Sequence, residues 1–269
     1  MDAKEDAGRE ITTTEWYDFI GNLGEIIPAL HLGGKEATRE LIEMCGITSD
    51  SRVLDVGCGT GYTACEIVRE QGSHVTGIDI SETMISKAEQ RARKEGLADR
   101  VEFRVADVFS LPFEDGSYDV ALFESVLTPI PGNKLDALRE VVRVVRPGGM
   151  IGANESFILD SAPEEFWRLA EKHPATHDMF SPDRLRDLFE EAGLQVVEVS
   201  SVKSSEAPSA MREMGVTRLI SFMVKSYWRV LGKLITDSRF RRAAKVDDQV
   251  SNFIKEHGGY VLIAGRVPA

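Results

Sequence analysis

The sequence predicts an α/β fold in which a mostly parallel β-sheet is covered by helices on both faces. From residue 52 onward, short runs rich in β-branched residues alternate with longer segments of helical character. Such alternation indicates parallel strands joined by crossover helices. The strand segments are continuously apolar, which is typical of a sheet buried on both sides.

Seven segments are predicted as the strands of this sheet, with helices between them. A long helical segment separates the last two strands. In chain order the strands are residues 52–56 (RVLDV), 74–79 (HVTGID), 101–107 (VEFRVAD), 118–124 (YDVALFE), 150–156 (MIGANES), 194–200 (LQVVEVS) and 259–267 (GYVLIAGRV).

Helix-capping residues support the predicted helices. Ser81 precedes one helical segment as its N-cap, and Gly96 follows it as its C-cap. Another helix begins near Lys134 and is stopped by RPGG at residues 146–149. Ser181 opens a third helix, with a proline at its first helical position.

Two parts of the chain fall outside the alternation and are predicted as helical additions to the sheet. Residues 1–50 look mainly helical, with an aromatic cluster at Trp16, Tyr17 and Phe19. The predicted division is an N-terminal helical lid at 1–50, a core at 51–202, a helical cap insertion at 203–257 and the last strand of the core sheet at 258–269.

The composition is that of an acidic globular protein. The chain has 269 residues, with 44 acidic against 32 basic side chains, a formal charge of -12 and 42% hydrophobic residues. A disordered chain would contain fewer apolar residues, and a general nucleic-acid binder would usually be basic, because Lys and Arg make the phosphate contacts. No specific nucleic-acid partner is therefore expected.

The sequence favours a soluble, cytoplasmic protein. No apolar run approaches the roughly 18 residues of a membrane-spanning helix, and the first ten residues lack the basic and then apolar order of a secretory signal. The three cysteines, Cys45, Cys58 and Cys65, form neither a disulfide framework nor a CxxC metal pair, which fits a reducing compartment.

A glycine-rich loop follows the first predicted strand directly. Gly57, Gly59 and Gly61 let the backbone turn sharply and let a ligand approach the main chain. Asp79 ends the second strand 22 residues after Gly57, the distance at which a carboxylate accepts hydrogen bonds from ribose hydroxyls. Together these features indicate an adenosine-containing ligand, although a tight turn without a ligand would explain the glycines alone.

The position of the third glycine argues against a dinucleotide. A dinucleotide fingerprint needs glycine at positions 57, 59 and 62, but position 62 is Tyr62. No GKS or GKT follows the glycines, so the phosphate-binding P-loop motif is absent as well.

Several motifs in order resemble the class I S-adenosylmethionine (SAM) dependent methyltransferases of the small-molecule type. VLDVGCGTGYTA is similar to their first motif, GIDIS to the second, VADVFSLPFEDGSYDVALF to the third and fourth, and LREVVRVVRPGGMI to the helix and turn before strand five. The resemblance covers residues 38–202 in register. It implies a Rossmann-like, doubly wound, seven-stranded and mostly parallel sheet, with SAM as cofactor and S-adenosylhomocysteine (SAH) as its product.

The resemblance also implies which residues bind the cofactor, and it implies no metal ion. Asp55 would lie near the SAM ammonium group, Asp79 would hold both ribose hydroxyls, and Asp107 would accept from the adenine amino group. Each carboxylate has a plain alternative as a capping or solvated acid at a strand end. The other implied residues are Tyr17 in the lid, Gly57, Cys58, Gly59 and Gly61 in the loop, Ile80, Met84 and Val108 at the adenine, and Phe123 and Glu124 at the tip of strand four.

Methyl transfer from SAM is an in-line displacement, so the protein must place the acceptor and exclude water. A general base is needed only if the acceptor arrives protonated with a high pKa. Strands four and five end in Glu124 and Glu155, near the edge of the sheet where ligands bind. We hypothesise that one of them binds a cationic acceptor or accepts its proton, and helix capping or SAM positioning is an equal alternative.

His31 is the third candidate catalytic residue. It lies in the break HLGG, whose two glycines would let the segment fold closely over a ligand. An imidazole titrates near neutrality and could exchange a proton with the acceptor. A histidine without any special role in the loop would explain the same sequence.

Residues 218–245 contain eight basic residues and one acid, a formal charge of +7, and predict a basic amphipathic helix. We interpret it first as a cap that packs on the domain with its charges in water. Contact with a peripheral membrane surface and attraction for an anionic ligand are the alternatives.

The sequence therefore predicts a SAM-dependent methyltransferase that acts on a small-molecule acceptor. A methyltransferase for a lipid, quinone or macromolecule reached through residues 218–245 is one alternative, and a non-catalytic SAM- or SAH-binding protein is another. The sequence indicates neither the atom that is methylated nor the oligomeric state.

Overall fold

A computed structural model gives the fold of the chain. It describes residues 11–23, 31–172, 176, 179–204, 232 and 235–269, except for the side chains of residues 20–23 and 248. The strands among these residues are β1 (Arg52–Val56), β2 (His74–Asp79), β3 (Val101–Val105), β4 (Tyr118–Glu124), β5 (Val145–Ile158), β6 (Gln195–Lys203) and β7 (Gly258–Arg266).

The seven described strands form one sheet in the order β3-β2-β1-β4-β5-β7-β6. The strands β1 to β5 pair in parallel, whereas β7 runs antiparallel to both β5 and β6. The chain order reverses between β1 and β4, and ligands of doubly wound sheets bind beyond the carboxyl ends of the strands at such a switch point. The predicted doubly wound, mostly parallel sheet is confirmed.

The helices with described bounds include those predicted from the capping residues. The Ser81 hydroxyl accepts the Met84 amide at the start of one helix, and Gly96 ends that helix with φ of 72°. Ser181 accepts the Arg184 amide in the same way. The helices are α1 (Thr13–Leu23), α2 (Gly34–Met44), α3 (Tyr62–Gln71), α4 (Glu82–Glu95), α5 (Lys134–Val144), α6 (Glu164–Ala170), α7 (Pro182–Glu191) and α8 (Ser238–His257).

Helices cover both faces at the central strands of the sheet, whereas β6 contains no buried residue. Because neighbouring residues on a strand point to opposite faces, alternate residues contact the two helical layers. On β1, Val53 packs in the layer of α2, α3 and α4, and Leu54 packs in the layer of α5 and α7. On β4, Leu122 and Phe123 are divided between the same two layers. This division decides which side chains at each strand tip can reach the cavity at the edge of the sheet.

The second half of the N-terminal segment is part of the helical layer. A Cβ atom on Gly152 of β5 would lie 2.5 Å from the Cys45 sulfur and 2.9 Å from a Leu41 methyl carbon, so glycine lets α2 lie close to the strand. Ala37 of α2 packs with Tyr260 on β7. The division of the chain at residue 50 stays a prediction.

The helices α1 and α8 pack against each other through aromatic rings. Phe240 stacks on Trp16 at a centroid distance of 6.2 Å and meets Phe19 edge-on at 4.7 Å. Arg239 forms an ion pair of 3.4 Å with Glu15. Most of the basic segment 218–245 lies outside the described residues, so its predicted amphipathic face is not described.

None of the helices that the structure describes is long and apolar enough to cross a membrane.

Candidate active site

A cavity of about 330 Å³ lies beyond the carboxyl ends of β1, β2 and β4. The loops that follow these strands and β3 form its walls, and α1 contributes Thr13, Thr14 and Tyr17. Twelve residues predicted for the site line it: Tyr17, His31, Asp55, Gly57, Cys58, Gly59, Asp79, Ile80, Met84, Asp107, Val108 and Glu124.

Three predicted site residues do not line the cavity. A Cβ atom on Gly61 would lie 2.8 Å from both Ala88 and Phe103, so this glycine is needed where α4 and β3 approach the loop. Phe123 is fully buried in the core, because the alternation along β4 turns it away from the cavity. Glu155 is also fully buried, as the loop after β4 encloses it.

The three glycines of the loop share a left-handed backbone conformation but differ in their surroundings. All three have positive φ angles: 66° at Gly57, 51° at Gly59 and 73° at Gly61. A Cβ atom on Gly57 would lie 2.5 Å from Val126, whereas one on Gly59 would have no neighbour within 4 Å. Open space beside a strained glycine in a cavity wall suits a ligand that approaches the main chain.

Asp55 lies at the end of β1 with its carboxylate turned into the cavity wall. The residue is 2% exposed, and its Oδ2 atom has no hydrogen-bond partner among the described residues. Burial raises the pKa of Asp55, and the nearby Glu124 raises it further. A cationic group of a ligand would pair with this carboxylate and offset the cost of its burial.

Asp79 joins the glycine loop to the end of β2. Its Oδ2 atom accepts the Gly59 amide at 3.0 Å, and its Oδ1 atom accepts the Ser81 amide at 2.9 Å. Burial raises the pKa of Asp79, which these two hydrogen bonds oppose. Each oxygen retains a lone pair for a donor such as a ribose hydroxyl.

The wall beyond Asp79 is apolar with one carboxylate. Ile80 is 61% exposed and lines the cavity, whereas Met84 beside it is buried. Asp107 is exposed and accepts the Phe109 amide at 3.0 Å, and Val108 is buried. An exposed isoleucine in a cavity wall provides an apolar surface that a planar ring could cover.

Glu124 turns its side chain out of the cavity and into a polar network. The side chain is 4% exposed although the residue as a whole is half-buried, so mainly its backbone faces the cavity. Thr38 of α2 donates to the carboxylate at 3.1 Å, and Thr63 of α3 donates to it as well. Asn154 of β5 donates to it at 3.4 Å.

His31 joins the same network through both ring nitrogens. Its Nε2 atom lies 3.4 Å from Glu124 and 3.3 Å from Thr38. Its Nδ1 atom lies 3.0 Å from the Asn154 amide nitrogen and 3.2 Å from the Leu32 carbonyl. With its proton on Nε2, the ring donates to Glu124 and accepts the Asn154 amide at Nδ1, so this arrangement leaves no ring nitrogen free for an acceptor's proton.

Glu155 holds the loop between β4 and α5. Its two oxygens accept the backbone amides of Val126, Leu127 and Thr128 at 2.8, 2.8 and 3.1 Å, and the Thr128 hydroxyl at 2.8 Å. Burial raises the pKa of Glu155, and these hydrogen bonds oppose the increase. This placement does not support the hypothesis that Glu155 contacts the methyl acceptor, because four hydrogen-bond donors of this loop occupy its carboxylate.

Sequence reasoning missed Ser125, which follows Glu124 in the cavity wall. Its φ of 57° lies in the left-handed region, and among non-glycine residues with described backbone it alone has a positive φ. Its amide donates to the Asn154 carbonyl at 2.8 Å, and Glu155 holds the next three amides. No pattern in the sequence indicates this strain, since it depends on residues of β5 that follow about thirty positions later.

Tyr17 and Cys58 contribute neutral groups to the wall. Burial raises the pKa of both side chains, so the phenol and the thiol stay protonated near neutral pH. The hydroxyl of Ser81 donates to Asp18 beside Tyr17, which ties α1 to the start of α4. Among the residues whose positions are described, no group of three or more His, Cys, Asp or Glu side chains could hold a metal ion.

The fold and the cavity together define an enzyme class. A doubly wound, mostly parallel sheet of seven strands, with a glycine loop after β1 and a carboxylate at the tip of β2, is the arrangement that the SAM-dependent methyltransferase resemblance implies. The unpartnered oxygen of Asp55 and the open space beside Gly59 fit a cofactor with a cationic ammonium group.

The chain belongs to the methyltransferase domain family, whose model matches residues 47–193. It is 32% identical over 183 residues to the 27-O-demethylrifamycin SV methyltransferase of Amycolatopsis mediterranei, an alignment that covers 65% of this chain and 66% of the relative. The protein is therefore a SAM-dependent methyltransferase, as its sequence predicts.

Solved structures share the fold. A SAM-dependent methyltransferase from Geobacter sulfurreducens in complex with SAH superposes with a TM-score of 0.68 at 24% identity, covering 92% of this chain and 96% of the other. The [4+2]-cyclase SpnF superposes with a TM-score of 0.76 at 24% identity, covering 97% of both chains. Likeness at this identity shows the fold alone, and a cyclase shares it, so the acceptor must be inferred from the site.

Proposed function

We propose that this methyltransferase acts on a small, uncharged and largely apolar acceptor that binds beside the loop after β4. The observation that carries the proposal is the division of the cavity wall. Asp55 and Asp79 lie at the ends of β1 and β2 and Asp107 follows β3, whereas the loop after β4 lines the cavity with Val126 and residues 129–131 (PIP). The two halves suit a cationic cofactor and an apolar acceptor.

The first half of the cavity would hold SAM. The Asp55 carboxylate would accept the ammonium group of the methionine part, and Asp79 would accept the ribose hydroxyls. Ile80, Met84 and Val108 would flank the adenine, with Asp107 at its amino group. SAM supplies a methyl group that is already activated as a sulfonium.

The second half would hold the acceptor. Among the described residues that line the cavity, none is Lys or Arg, so this wall offers no partner to an acceptor phosphate or carboxylate. The residues of the loop after β4 that line the cavity include no acidic side chain either, so a charge of either sign would be buried there without a partner, which is costly and favours an uncharged molecule. The relative named for 27-O-demethylrifamycin SV supports a small-molecule acceptor.

The protein would contribute placement and exclusion of water rather than a free base. Glu155 and the Asn154 carbonyl fix the loop after β4, and the network of Glu124 and His31 fixes the wall next to it. Tyr17 of α1 would cover the cofactor. Holding the reactants in line in a dry site is the main requirement of a displacement on an activated methyl group.

Label transfer tests this function. The protein is incubated with methyl-labelled SAM and the low-molecular-weight fraction of a cell extract, and labelled products are separated and identified. We expect label in an uncharged small molecule with the wild-type protein and much less with Asp79→Asn, the matched variant that should bind SAM more weakly.

Two results would overturn the proposal. One is label that enters only protein, nucleic acid or phospholipid when whole extract is supplied. The other is saturable SAM binding with no label in any small molecule. Identification of the product would also show whether N, O, S or C is methylated.

A further inference from the structure

Arg91 of α4 contacts the glycine loop from outside the cavity. Its Nε atom donates to the Thr60 carbonyl at 2.9 Å, and its Nη2 atom lies 3.4 Å from the Thr60 hydroxyl oxygen. Thr60 is 8% exposed and lines the cavity, so the contact is made to the back of a wall that faces the cofactor.

The same guanidinium lies over the next residue of the wall. Its central carbon is 5.8 Å from the ring centroid of Tyr62, which lines the cavity at the start of α3. Glu95, one turn further along α4, lies 3.6 Å from another Arg91 nitrogen. Arg91 therefore contacts both residues that flank Gly61.

The glycine loop needs such support because its own residues are flexible. Three of its five residues are glycines with positive φ angles, and glycine loses more conformational freedom on ordering than any other residue. Asp79 holds the loop at the Gly59 amide, and the Gly61 amide donates to the Cys58 carbonyl at 2.9 Å. Arg91 supplies the hold on Thr60, the residue between Gly59 and Gly61.

We propose that Arg91 is a positioning residue for SAM that holds the glycine loop in its binding conformation before the cofactor arrives. A loop that is already ordered loses less entropy on binding, so its ligand binds more tightly. The inference deepens the proposed function and rests on it, because it requires that SAM binds along this loop.

Comparing SAM with SAH separates loop ordering from charge. The sulfonium of SAM carries a positive charge that SAH lacks, so an electrostatic effect of Arg91 would act on the two ligands differently. If Arg91 orders the loop, its removal weakens both ligands by the same factor. If Arg91 merely repels a cation, its removal strengthens SAM relative to SAH.

Calorimetric titration with SAM and with SAH tests the inference without an acceptor. We expect Arg91→Ala to weaken both ligands by roughly three- to tenfold, because one more loop residue then has to be ordered when the ligand binds. Arg91→Lys should fall between wild type and Arg91→Ala, because an ammonium group can hold the Thr60 carbonyl but has no planar group to lie over Tyr62.

Two control variants isolate the contact. Arg93→Ala removes an exposed arginine of the same helix that pairs only with Glu89 among the interactions described, and its affinities should equal those of wild type. Glu95→Gln removes the ion pair of Arg91 but leaves the guanidinium, and it should also bind normally. In Arg91→Ala the amides of residues 59–62 should exchange hydrogen faster without ligand, and as slowly as wild type with SAH bound.

The inference is overturned if Arg91→Ala lowers the melting temperature but leaves both dissociation constants unchanged, since Arg91 would then only stabilise the fold. It is also overturned if Arg91→Ala changes the affinity for SAM but not the affinity for SAH. Failure of the wild-type protein to bind SAH would instead contradict the proposed function, so the two failures are distinguishable.

Discussion

The buried carboxylate of Asp55 affects stability and ligand binding in opposite directions. Its Oδ2 atom is buried without a partner among the described residues, and burial together with Glu124 raises its pKa. A buried carboxylate with an unsatisfied oxygen destabilises the unliganded protein, and a cationic ligand would reverse that effect. Such a perturbed group in a cavity is typical of a functional site.

Replacing Asp55 by Asn should therefore stabilise the unliganded protein and weaken the cofactor. We expect Asp55→Asn to raise the free energy of unfolding by about 1 to 2 kcal/mol, and to weaken SAH by roughly tenfold or more, because a charge-assisted hydrogen bond is lost. Urea unfolding and calorimetric titration check the two effects. A variant that is less stable and binds SAH normally would contradict this role.

The raised pKa of Asp55 also gives SAH binding a pH dependence. In the proposed site the ammonium group pairs with the ionised carboxylate, so affinity should rise with pH until the pH exceeds the raised pKa, and then level off. Stability of the unliganded protein should change in the opposite direction, since the unfolded state releases this proton first and the folded state loses stability until the raised pKa is passed.

Titrations with SAH at several pH values test this dependence, with Asp55→Asn as the control. The slope should become shallower in the variant, where Asp79, whose pKa is also raised, contributes the remainder. An equal slope in both proteins would show that Asp55 does not bind the ammonium group.

Gly59 and Gly61 look alike in sequence but differ in their surroundings. A Cβ atom would meet open space at Gly59 and would collide with Ala88 and Phe103 at Gly61. We expect Gly61→Ala to lower the free energy of unfolding by about 2 kcal/mol or more, whereas Gly59→Ala should cost only about 1 kcal/mol for its positive φ angle.

SAH binding should separate this pair further. Gly59→Ala should weaken SAH in a protein that remains folded, because the new methyl group occupies the space of the ligand. Equal stability and equal SAH affinity of the two variants would show that both glycines serve only the turn.

For single residues, the sequence predicts where a residue lies in the fold better than where its side chain points. The motifs place twelve of the predicted residues in the cavity wall, because they lie at strand tips or in the loops that follow. They do not show that Glu124 faces the network of Thr38 and Thr63, or that Phe123 faces the core. Those directions depend on packing between elements that are distant in the chain.

At the scale of elements, the loop between β4 and α5 is the part of the site that sequence could not predict. Glu155 binds its amides from one side, and Lys134, which is 7% exposed, donates to the Thr128 and Ile130 carbonyls from the other. The loop contains no glycine between Glu124 and Pro131, so its shape is imposed by these two buried charged residues. The sequence places Glu155 at the tip of a predicted strand, and this position alone suggested that it contacts the methyl acceptor.

Glu155→Gln should destabilise the folded protein and leave the pH dependence of methyl transfer unchanged. An amide oxygen accepts fewer of the four donors, so we expect the free energy of unfolding to fall by about 2 kcal/mol in urea titrations. Glu198→Gln at an exposed position of β6 is the control and should change stability by less than about 0.5 kcal/mol.

The pH profile of methyl transfer, measured with the acceptor found by label transfer, should keep its shape in Glu155→Gln. A profile shifted by the substitution would restore Glu155 as a proton acceptor. A stability equal to that of wild type would contradict its role in holding the loop.

At the scale of the whole molecule, the alternation of apolar runs with helical segments predicted parallel strands covered on both faces, and the methyltransferase resemblance implied the doubly wound topology. Each strand except β6 contains buried residues, and the reversal of order between β1 and β4 places the cavity where a doubly wound sheet binds ligands. The acceptor side could not be predicted in the same way, since it depends on α1, His31 and the loop after β4, which carry no shared motif.

The charge of the whole molecule is consistent with a cationic cofactor. The chain carries a formal charge of -12, and the carboxylates of Asp55, Asp79 and Asp107 belong to cavity-lining residues. Residues 218–245 carry +7, so the remaining residues carry -19. An acidic body attracts a cationic cofactor at long range.

The most direct test of the central claim, that SAM binds along the tips of β1, β2 and β3, is a calorimetric titration of SAH into the wild-type protein and Asp79→Asn. We predict one saturable site per chain in the wild type, and binding weakened by roughly tenfold or more in the variant, where one carboxylate oxygen becomes an amide donor. Equal affinity of the two proteins, or no saturable binding to the wild type, would contradict the account.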